Sequence, residues 1–237
     1  MMAISTDTDP LSPSPNALLP GEQAVARPGE SGRGELLDIR DLSFGRDDVP
    51  LFQDLQFGLA AGQLLLVEGD NGSGKTTLLR LLCGLLEPWS GEIRWRGNDI
   101  RSCYTDYLAA LSYVGHANGV KHGLTPLENL AVARDLAAVG GRPDLPAMLR
   151  RLGLHRHADT PVQALSAGQR RRLALARLLF GGKPLWILDE PLTSLDAAGR
   201  ELIKSLFRDH LAQDGGIIMT SHDAFSLDGV ATARMRL

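Results

Sequence analysis

Two patterns of hydrophobic and polar positions divide the chain into predicted strands and predicted helices. From Glu35 onward, the segments ELLDIRDLSF and LFQDLQFGL are β-like and indicate an antiparallel layer near the start of the domain. The apolar run LLLVE at 64–68 predicts a buried strand. It passes into a glycine-rich loop, after which residues 76–86 carry leucines at helical spacing. The predicted order is therefore an antiparallel layer, a buried strand, a glycine loop and a helix.

The rest of the chain has a helical middle and then returns to strands. Residues from about 100 to 182 are mainly helical in pattern, and they are followed by the strand PLWILDEP, the helix AAGRELIKSLFRDHLAQ and the strand GGIIMTSH. Buried strands separated by helices indicate an α/β fold with a parallel-sheet core and right-handed crossovers. We expect one domain over residues 35–237, into which a helical subdomain at roughly 100–182 is inserted. The absence of an internal repeat predicts one set of nucleotide-site motifs.

Composition and charge argue against several classes of protein. The chain has 237 residues, of which 43% are hydrophobic, and its formal net charge of −3 provides no broad basic field, so nucleic acid is not expected as a partner. The two cysteines form no CxxC motif, which argues against a disulfide framework or a zinc site. No uninterrupted apolar run approaches the roughly 18 to 20 residues needed to cross a bilayer, so the chain is not expected to span a membrane.

The first 34 residues differ from the rest in composition. They are rich in proline, serine and glycine and have no helical or strand period, which predicts a disordered leader. A signal peptide would need a basic start and an apolar centre, whereas this segment has Asp7, Asp9 and scattered prolines. We therefore expect the protein to remain on the cytosolic side of the membrane.

The glycine loop GDNGSGKT at 69–76 matches the phosphate-binding pattern GxxxxGK[ST] without substitution. Its glycines allow backbone conformations in which successive N–H groups face phosphate oxygens, and the following helix adds a favourable dipole. Lys75 is expected to reach the β- and γ-phosphates of ATP, and the Thr76 hydroxyl is expected to bind Mg²⁺. The predicted nucleotide contacts in this segment are Gly69, Asp70, Asn71, Gly72, Ser73, Gly74, Lys75, Thr76 and Thr77.

Two adjacent acids end the apolar strand in LWILDE. A buried strand here would bring Asp189 beside the glycine loop, where its carboxylate would hold Mg²⁺. Glu190, one residue further on, is a candidate for orienting and polarising the water that attacks the γ-phosphate. Two acids at a strand end also occur as ordinary solvated residues, but the glycine loop upstream favours the catalytic interpretation.

The segment LSAGQ at 165–169, followed by RRRLALARLLF, narrows the family. Ser166 is a candidate helix N-cap, and the small residues after it leave backbone N–H groups accessible to an anion. Here the chain resembles an ATP-binding-cassette (ABC) ATPase, whose signature is usually LSGGQ, with Ala167 in place of the first glycine. The segment TSLD at 193–196 resembles the D-loop of that family, and His222 resembles its switch histidine.

That resemblance implies the P-loop NTPase fold and an active site shared between two copies of the chain. In the family two cassettes pair head to tail, and the signature of one copy faces the γ-phosphate bound by the other. The residues carried over from that signature are Ser166, Gly168 and Gln169. His222 would hydrogen-bond the γ-phosphate and help to position water around Glu190. A single copy would then be an incomplete enzyme, with Glu190 and His222 as its catalytic residues.

Two positions depart from the family pattern. The family's glutamine, in the loop after the strand LSYVG, is replaced by His116, whose imidazole can donate or accept a hydrogen bond. An ordinary loop histidine is the alternative interpretation of this position. The aromatic residue that often stacks on adenine is also missing from its usual place, where SFGRDDV offers Phe44 or Arg46 and the choice stays open.

The runs GHANGVKHGLTPLENL, LSAGQRRRLALARL and LWILDEPLTSLD together resemble one subgroup, the ATP-binding subunits of the haem exporter of bacterial cytochrome c biogenesis. The resemblance implies ATP and Mg²⁺ as ligands, and as partners a second copy of the chain and the membrane permease subunits, contacted through the region 116–130. It also implies a peripheral location on the cytoplasmic face of the inner membrane. ATP hydrolysis would supply the work that releases a haem-loaded chaperone.

Alternative functions stay open at this point. One is the ATPase subunit of an ABC transporter for a different solute. Another is a soluble ABC ATPase acting on nucleic acid, which we would expect to carry tandem cassettes or a long coiled-coil insertion that this sequence does not show. A non-hydrolysing nucleotide-binding regulator is disfavoured by the presence of Lys75, Asp189, Glu190 and His222.

Overall fold

The computed structural model describes residues 34–137, 143–222 and 225–237. Residues 1–33, which form nearly all of the predicted disordered leader, lie outside the described residues. The strands are β1 (Glu35–Arg46), β2 (Val49–Ala60), β3 (Leu64–Glu68), β4 (Ser90–Trp95), β5 (Asn98–Asp99), β6 (Leu111–Val114), β7 (Leu185–Leu188), β8 (Gly216–Thr220) and β9 (Thr232–Arg236). The α-helices are α1 (Lys75–Leu82), α2 (Tyr104–Ala110), α3 (Pro126–Ala137), α4 (Leu145–Arg151), α5 (Ala167–Leu175) and α6 (Ala197–Ala212).

The N-terminal layer is a four-stranded antiparallel sheet in the order β2-β1-β4-β5. β1 and β2 form a long hairpin whose register shifts several times, and such irregularities bend and twist a strand pair. Leu37, Ile39 and Phe57 of this hairpin are buried in a core that they share with the parallel sheet. Burying one such side chain contributes about 1.5–3 kcal/mol, so this core holds the two layers together.

The central layer is a five-stranded parallel sheet in the order β6-β7-β8-β3-β9. Because the carboxyl ends of parallel strands meet at one edge, the segments that follow β3, β6, β7 and β8 come together there. The first of these segments is the glycine loop, and the others begin with Gly115, Asp189 and Ser221. The parallel core and the antiparallel layer are those that the sequence predicts, and the topology explains why its separate motifs converge.

Both faces of the parallel sheet are buried, which accounts for its uninterrupted apolar strands. Along β3, Leu64 and Leu66 belong to the core beneath α3 to α6, whereas Leu65 and Val67 belong to the core shared with the antiparallel layer. The alternation follows from the two-residue period of a strand. The strand is therefore held from both sides, and the glycine loop at its end starts from a rigid base.

The stretch 100–182 begins with α2 and is mainly helical, but it also contains one strand. β6 lies within the stretch 100–182 but is a strand of the parallel sheet, paired with β7, and α3, α4 and α5 follow it. Asp144 caps α4 by accepting a hydrogen bond from the Ala147 N–H at 2.9 Å. No helix within the described residues combines the length and the apolar character needed to cross a membrane.

His210 of α6 is packed against the parallel sheet. Its ring stacks on Trp186 of β7, with the ring centroids 3.7 Å apart and an interplanar angle of 10°. Burial lowers the pKa of His210 from its ordinary value of 6.5 to about 4, and hydrogen bonding to the backbone of Gly216 and Pro184 opposes the shift. The folded protein therefore keeps this imidazole neutral at pH values at which the unfolded chain would protonate it.

Lowering the pH from 7 to 5 is expected to reduce the free energy of unfolding by about 1–2 kcal/mol through His210, because the unfolded chain then binds more protons than the folded one. This stability is complete above pH 6.5 and is lost as the pH falls toward 4. Chemical denaturation of the wild type and of His210→Phe, which keeps an aromatic ring against Trp186, measures the effect. The variant should lose less stability over this interval, and an equal loss in both proteins would exclude His210 as its source.

Candidate active site

The glycine loop closes around the ammonium group of Lys75. Lys75 is buried, and its Nζ donates to the carbonyl oxygens of Gly69 and Asp70, both at 2.8 Å. Gly69 and Gly74 have φ values of 148° and 101°, in the region that favours glycine, and a Cβ added at Gly69 would lie 2.7 Å from the Ser73 hydroxyl. Because α1 begins at Lys75, the loop delivers this cation and the helix N-terminus to the same point.

A pair of threonine hydroxyls fixes the first of the two acids. Asp189 is buried; its Oδ2 accepts from the Thr76 hydroxyl at 2.9 Å and its Oδ1 from the Thr220 hydroxyl at 2.8 Å. Carboxylate and hydroxyl oxygens are the ligands that Mg²⁺ prefers, so the predicted pair of Thr76 and Asp189 suits that ion. The structure brings these two side chains together although 113 positions separate them in sequence.

The second acid lies between two histidines. Oε1 of Glu190 is 2.7 Å from Nε2 of His222, and Oε2 is 3.7 Å from Nδ1 of His116. Oε2 also accepts from the Thr193 hydroxyl at 3.2 Å. The Glu190 side chain is 17% exposed, whereas those of His222 and His116 are 44% and 71% exposed. The carboxylate is thus oriented by His222 and Thr193, with His116 farther away, and the predicted catalytic pair is in direct contact.

The glycine loop, Glu190 and His222 line one cleft of about 270 Å³. Its lining consists of Arg46, Leu51, Asn71, Gly72, Gly74, Lys75, Thr76, Thr77, Glu190 and His222. Phe44 packs instead against Phe52 and Trp89, with ring centroids 6.4 and 6.3 Å away. Of the two residues that the sequence offers for the adenine side, Arg46 therefore lies at the cleft, and no Phe, Tyr or Trp of the described residues lines it.

The signature segment lies apart from this cleft. Ser166 caps α5: its hydroxyl accepts from the Gln169 N–H at 3.2 Å, and the Gln169 side chain accepts from the Ser166 N–H at 2.8 Å. A Cβ added at Gly168 would lie 2.7 Å from the carbonyl oxygen of Ser194, so a glycine is needed where α5 meets the segment 193–196. Ser166, Gly168 and Gln169 do not line the cleft of their own chain.

Sequence reasoning missed two residues of this region. Thr220 joins the acids, because its hydroxyl donates to Asp189 and accepts from the Glu190 N–H at 2.9 Å. Arg171 is 4% exposed and its guanidinium donates to the carbonyl oxygens of Asp189 and Glu190 at 2.6 and 2.9 Å. Thr220 is the polar residue that ends an apolar strand, which is a usable signal. Arg171 lies in a run of three arginines that resembles a solvated helix face.

Comparison with known proteins shows to which family the chain is similar. A model of the ABC transporter family matches residues 52–193. The cytochrome c biogenesis ATP-binding export protein CcmA of Nitrosospira multiformis is 46% identical over 198 residues, which are 83% of this chain and 96% of the relative. The protein of the same name from Methylococcus capsulatus is 48% identical over 185 residues, 78% of this chain and 89% of that relative.

Solved structures show the same fold. An ATP-binding subunit of an ABC transporter matches with a TM-score of 0.72 at 24% identity, covering 85% of this chain and 88% of the other. A dimeric ATP-binding cassette in a post-hydrolysis state, bound to ADP and phosphate, matches with a TM-score of 0.69 at 23% identity, covering 79% and 88%. At these identities the likeness concerns the fold alone.

Proposed function

Since the chain belongs to the ABC transporter family and, within it, to the cytochrome c biogenesis ATP-binding export proteins, we propose that its ATP hydrolysis drives haem export or the release of a haem-loaded chaperone in cytochrome c maturation. The observation that carries the mechanism is the 2.7 Å contact between Glu190 and His222 in the lining of the cleft that contains Lys75. A carboxylate, an imidazole and a buried ammonium around one cleft suit the cleavage of a γ-phosphate.

ATP binds through the glycine loop. Nζ of Lys75 exchanges the carbonyl oxygens of Gly69 and Asp70 for oxygens of the β- and γ-phosphates, and the N–H groups at the start of α1 face the same anion. Thr76 and Asp189 are the residues that would hold Mg²⁺, which neutralises phosphate charge when it is bound. Arg46 also lines this cleft.

Hydrolysis then depends on Glu190. As the oxygen of a water molecule forms its bond to the γ-phosphorus and the bond to the ADP oxygen breaks, Glu190 takes a proton from that water. His222, through Nε2, keeps Oε1 of Glu190 in place and lines the same cleft, from which it would hydrogen-bond the γ-phosphate. General base catalysis of this kind contributes about 10²–10⁴ in rate.

The second half of the site comes from another copy of the chain. Ser166 is exposed in the described chain and does not line its own cleft, and it stands at the N-terminus of α5, where the helix dipole favours an anion. Head-to-tail pairing would place this N-terminus, with Gly168 and Gln169, over the γ-phosphate bound by the partner. ATP then bridges the two copies, and its hydrolysis removes the bridge.

A groove suits the membrane permease subunits. It measures about 450 Å³, lies between α3 and β6, and is lined by both apolar and cationic side chains, including Val132, Lys121 and Lys183. At its edge, Leu136 of α3 is 82% exposed. A short amphipathic helix of a permease matches this mixed lining, and it would hold the protein peripherally at the cytoplasmic face of the inner membrane.

His116→Gln is expected to reduce cytochrome c maturation several-fold while the ATPase rate of the isolated chain stays within about two-fold to three-fold. The reason is that His116 is largely exposed in the loop that leads to the groove, and its 3.7 Å approach to Glu190 is a weak contact. Covalent haem in c-type cytochromes and phosphate release by the purified chain measure the two effects. His155→Gln, an exposed histidine before α5, is the matched control, and unchanged maturation in His116→Gln would remove its coupling role.

Purification of the tagged chain from membranes tests the choice of partner. We expect permease subunits of the cytochrome c maturation system to accompany it. Recovery with permease subunits for an unrelated solute would overturn the assignment to haem export while leaving the ATPase mechanism intact. Tight salt-sensitive binding to RNA or DNA would instead favour a soluble ATPase that acts on nucleic acid.

A further inference from the structure

We propose that Arg171 is a positioning residue that joins the signature helix α5 to the catalytic carboxylate of Glu190 and to the loop that carries His116. This inference rests on the proposed ATPase function and adds a residue to it. Arg171 touches neither the cleft nor the reacting atoms, so its effect passes through the segments that it holds.

The guanidinium of Arg171 connects three segments of the chain. From α5 it reaches the segment after β7, where it donates to the carbonyl oxygens of Asp189, Glu190 and Pro191. It also reaches the segment after β6, where it donates to the Gly115 carbonyl at 2.9 Å and to Oδ1 of Asn118 at 3.2 Å. Five acceptors from two loops thus share one rigid, planar group.

Because Arg171 is buried, losing its hydrogen bonds would cost more free energy than losing hydrogen bonds at the surface. Its hydrogen-bond acceptors are all neutral oxygens, and burial lowers the pKa of its guanidinium, while the charges of Asp189 and Glu190 oppose that shift. Each buried acceptor left without a donor costs about 1–3 kcal/mol. The fork of Arg171 therefore helps to keep the two loops in their present positions, together with the hydrogen bond from the Asp189 N–H to the Val114 carbonyl at 2.8 Å.

The group that Arg171 positions is the Glu190 carboxylate, and the backbone conformation of Glu190 sets its direction. Its φ is 49°, an unfavourable left-handed conformation for a glutamate, and it sets the direction of the carboxylate toward His222. Arg171 holds the carbonyls on both sides of this φ, at Asp189 and Glu190, while Thr220 holds the intervening Glu190 N–H. Loss of the guanidinium would release the strained residue that carries the catalytic carboxylate.

The neighbouring arginines make different contacts. Arg172 donates to the carbonyl oxygens of Leu152 and Gly153, which lie at the end of α4, and Arg170 donates to the Leu165 carbonyl before α5. Among the hydrogen bonds of the described residues, neither of these guanidinium groups donates to the segment after β6 or to the segment after β7. A displacement of α5 is therefore transmitted to Glu190 and the 115–118 loop through Arg171, and Arg172 provides a matched control in the next position.

The test compares Arg171→Lys and Arg171→Gln with Arg172→Lys and Arg172→Gln in the full chain. Lysine keeps the charge but cannot span five acceptors, so Arg171→Lys should lower kcat for ATP about 10-fold, and Arg171→Gln should lower it further. KM and the Kd of a fluorescent ATP analogue should stay within about two-fold, because the glycine loop is untouched. The Arg172 variants should lower the melting temperature and leave kcat within about two-fold.

Asn118→Ala provides a second test of the role of Arg171 if an Arg171 variant does not fold. It removes one acceptor of Arg171 at a half-buried loop position, and it should lower kcat several-fold with KM and the melting temperature unchanged. The inference is overturned if Arg171→Lys, or Asn118→Ala where the former cannot be purified, keeps the wild-type kcat. A wild-type chain that does not hydrolyse ATP would instead refute the proposed function, so the two failures are distinct.

Discussion

Replacing Glu190 with glutamine should lower the rate of ATP hydrolysis by about 100-fold or more while ATP still binds. The amide keeps the size of the side chain and can still contact His222, but it cannot accept the proton of the attacking water. Lys75, Thr76 and Asp189, which we assign to the phosphates and Mg²⁺, are unchanged. Since hydrolysis is what removes the bridge between two copies, the variant should accumulate as an ATP-bound dimer.

Phosphate release, nucleotide affinity and size-exclusion chromatography in the presence of ATP measure the three expectations for Glu190→Gln. Glu201→Gln is the control, because Glu201 is an exposed acid of α6 whose partners are Lys204 and Arg208. It should behave as the wild type in every assay. Unchanged turnover in Glu190→Gln would exclude Glu190 as the general base, and slow turnover without a dimer would argue against the shared site.

Lys75→Ala should weaken ATP binding by at least about 100-fold and abolish cytochrome c maturation. The side chain is buried and makes two hydrogen bonds to the loop, so its loss removes both the charge that meets the phosphates and the contacts that shape the loop. Equilibrium binding of a fluorescent ATP analogue gives the affinity, and covalent haem in c-type cytochromes gives the cellular effect.

Arg151→Ala provides the comparison for Lys75→Ala, because it removes a surface cation that pairs with Asp209 outside the cleft. Its nucleotide affinity and its maturation should both match the wild type. The circular dichroism spectra and the protein levels of the two variants must be equal. A loss of affinity or maturation in Lys75→Ala can then be assigned to the nucleotide site and not to misfolding. Normal maturation in Lys75→Ala at equal protein level would refute the role of ATP in this pathway.

Local patterns were enough to predict the parallel α/β core and the antiparallel layer, and the family resemblance supplied the P-loop NTPase fold. The run LLLVE and the strand in LWILDE are apolar on both faces, which only a sheet buried on both sides explains, and they form β3 and β7. β6 matches the predicted strand LSYVG, which lies within the mainly helical stretch from about 100 to 182. The stretch 100–182 thus contributes a strand to the parallel sheet as well as helices.

The candidate site was predictable where one motif carries the chemistry. The loop 69–76 and the acids at 189 and 190 follow from spacing alone, and the topology brings them together with His222. Arg171 acts through contacts with residues 18 to 56 positions away, which no local pattern encodes, whereas Thr220 had only the weak signal of a polar residue that ends an apolar strand. The contribution of Ser166 to a partner's γ-phosphate stays a prediction, since it concerns a second copy of the chain.

The most direct test of the central claim, that ATP hydrolysis by this chain drives cytochrome c maturation, is haem staining of c-type cytochromes in a strain that lacks its gene. The account predicts that covalent haem disappears on deletion, returns when the wild-type chain is supplied, and stays absent when Glu190→Gln is supplied at equal level. Retention of covalent haem after deletion, or full recovery with Glu190→Gln, would contradict it.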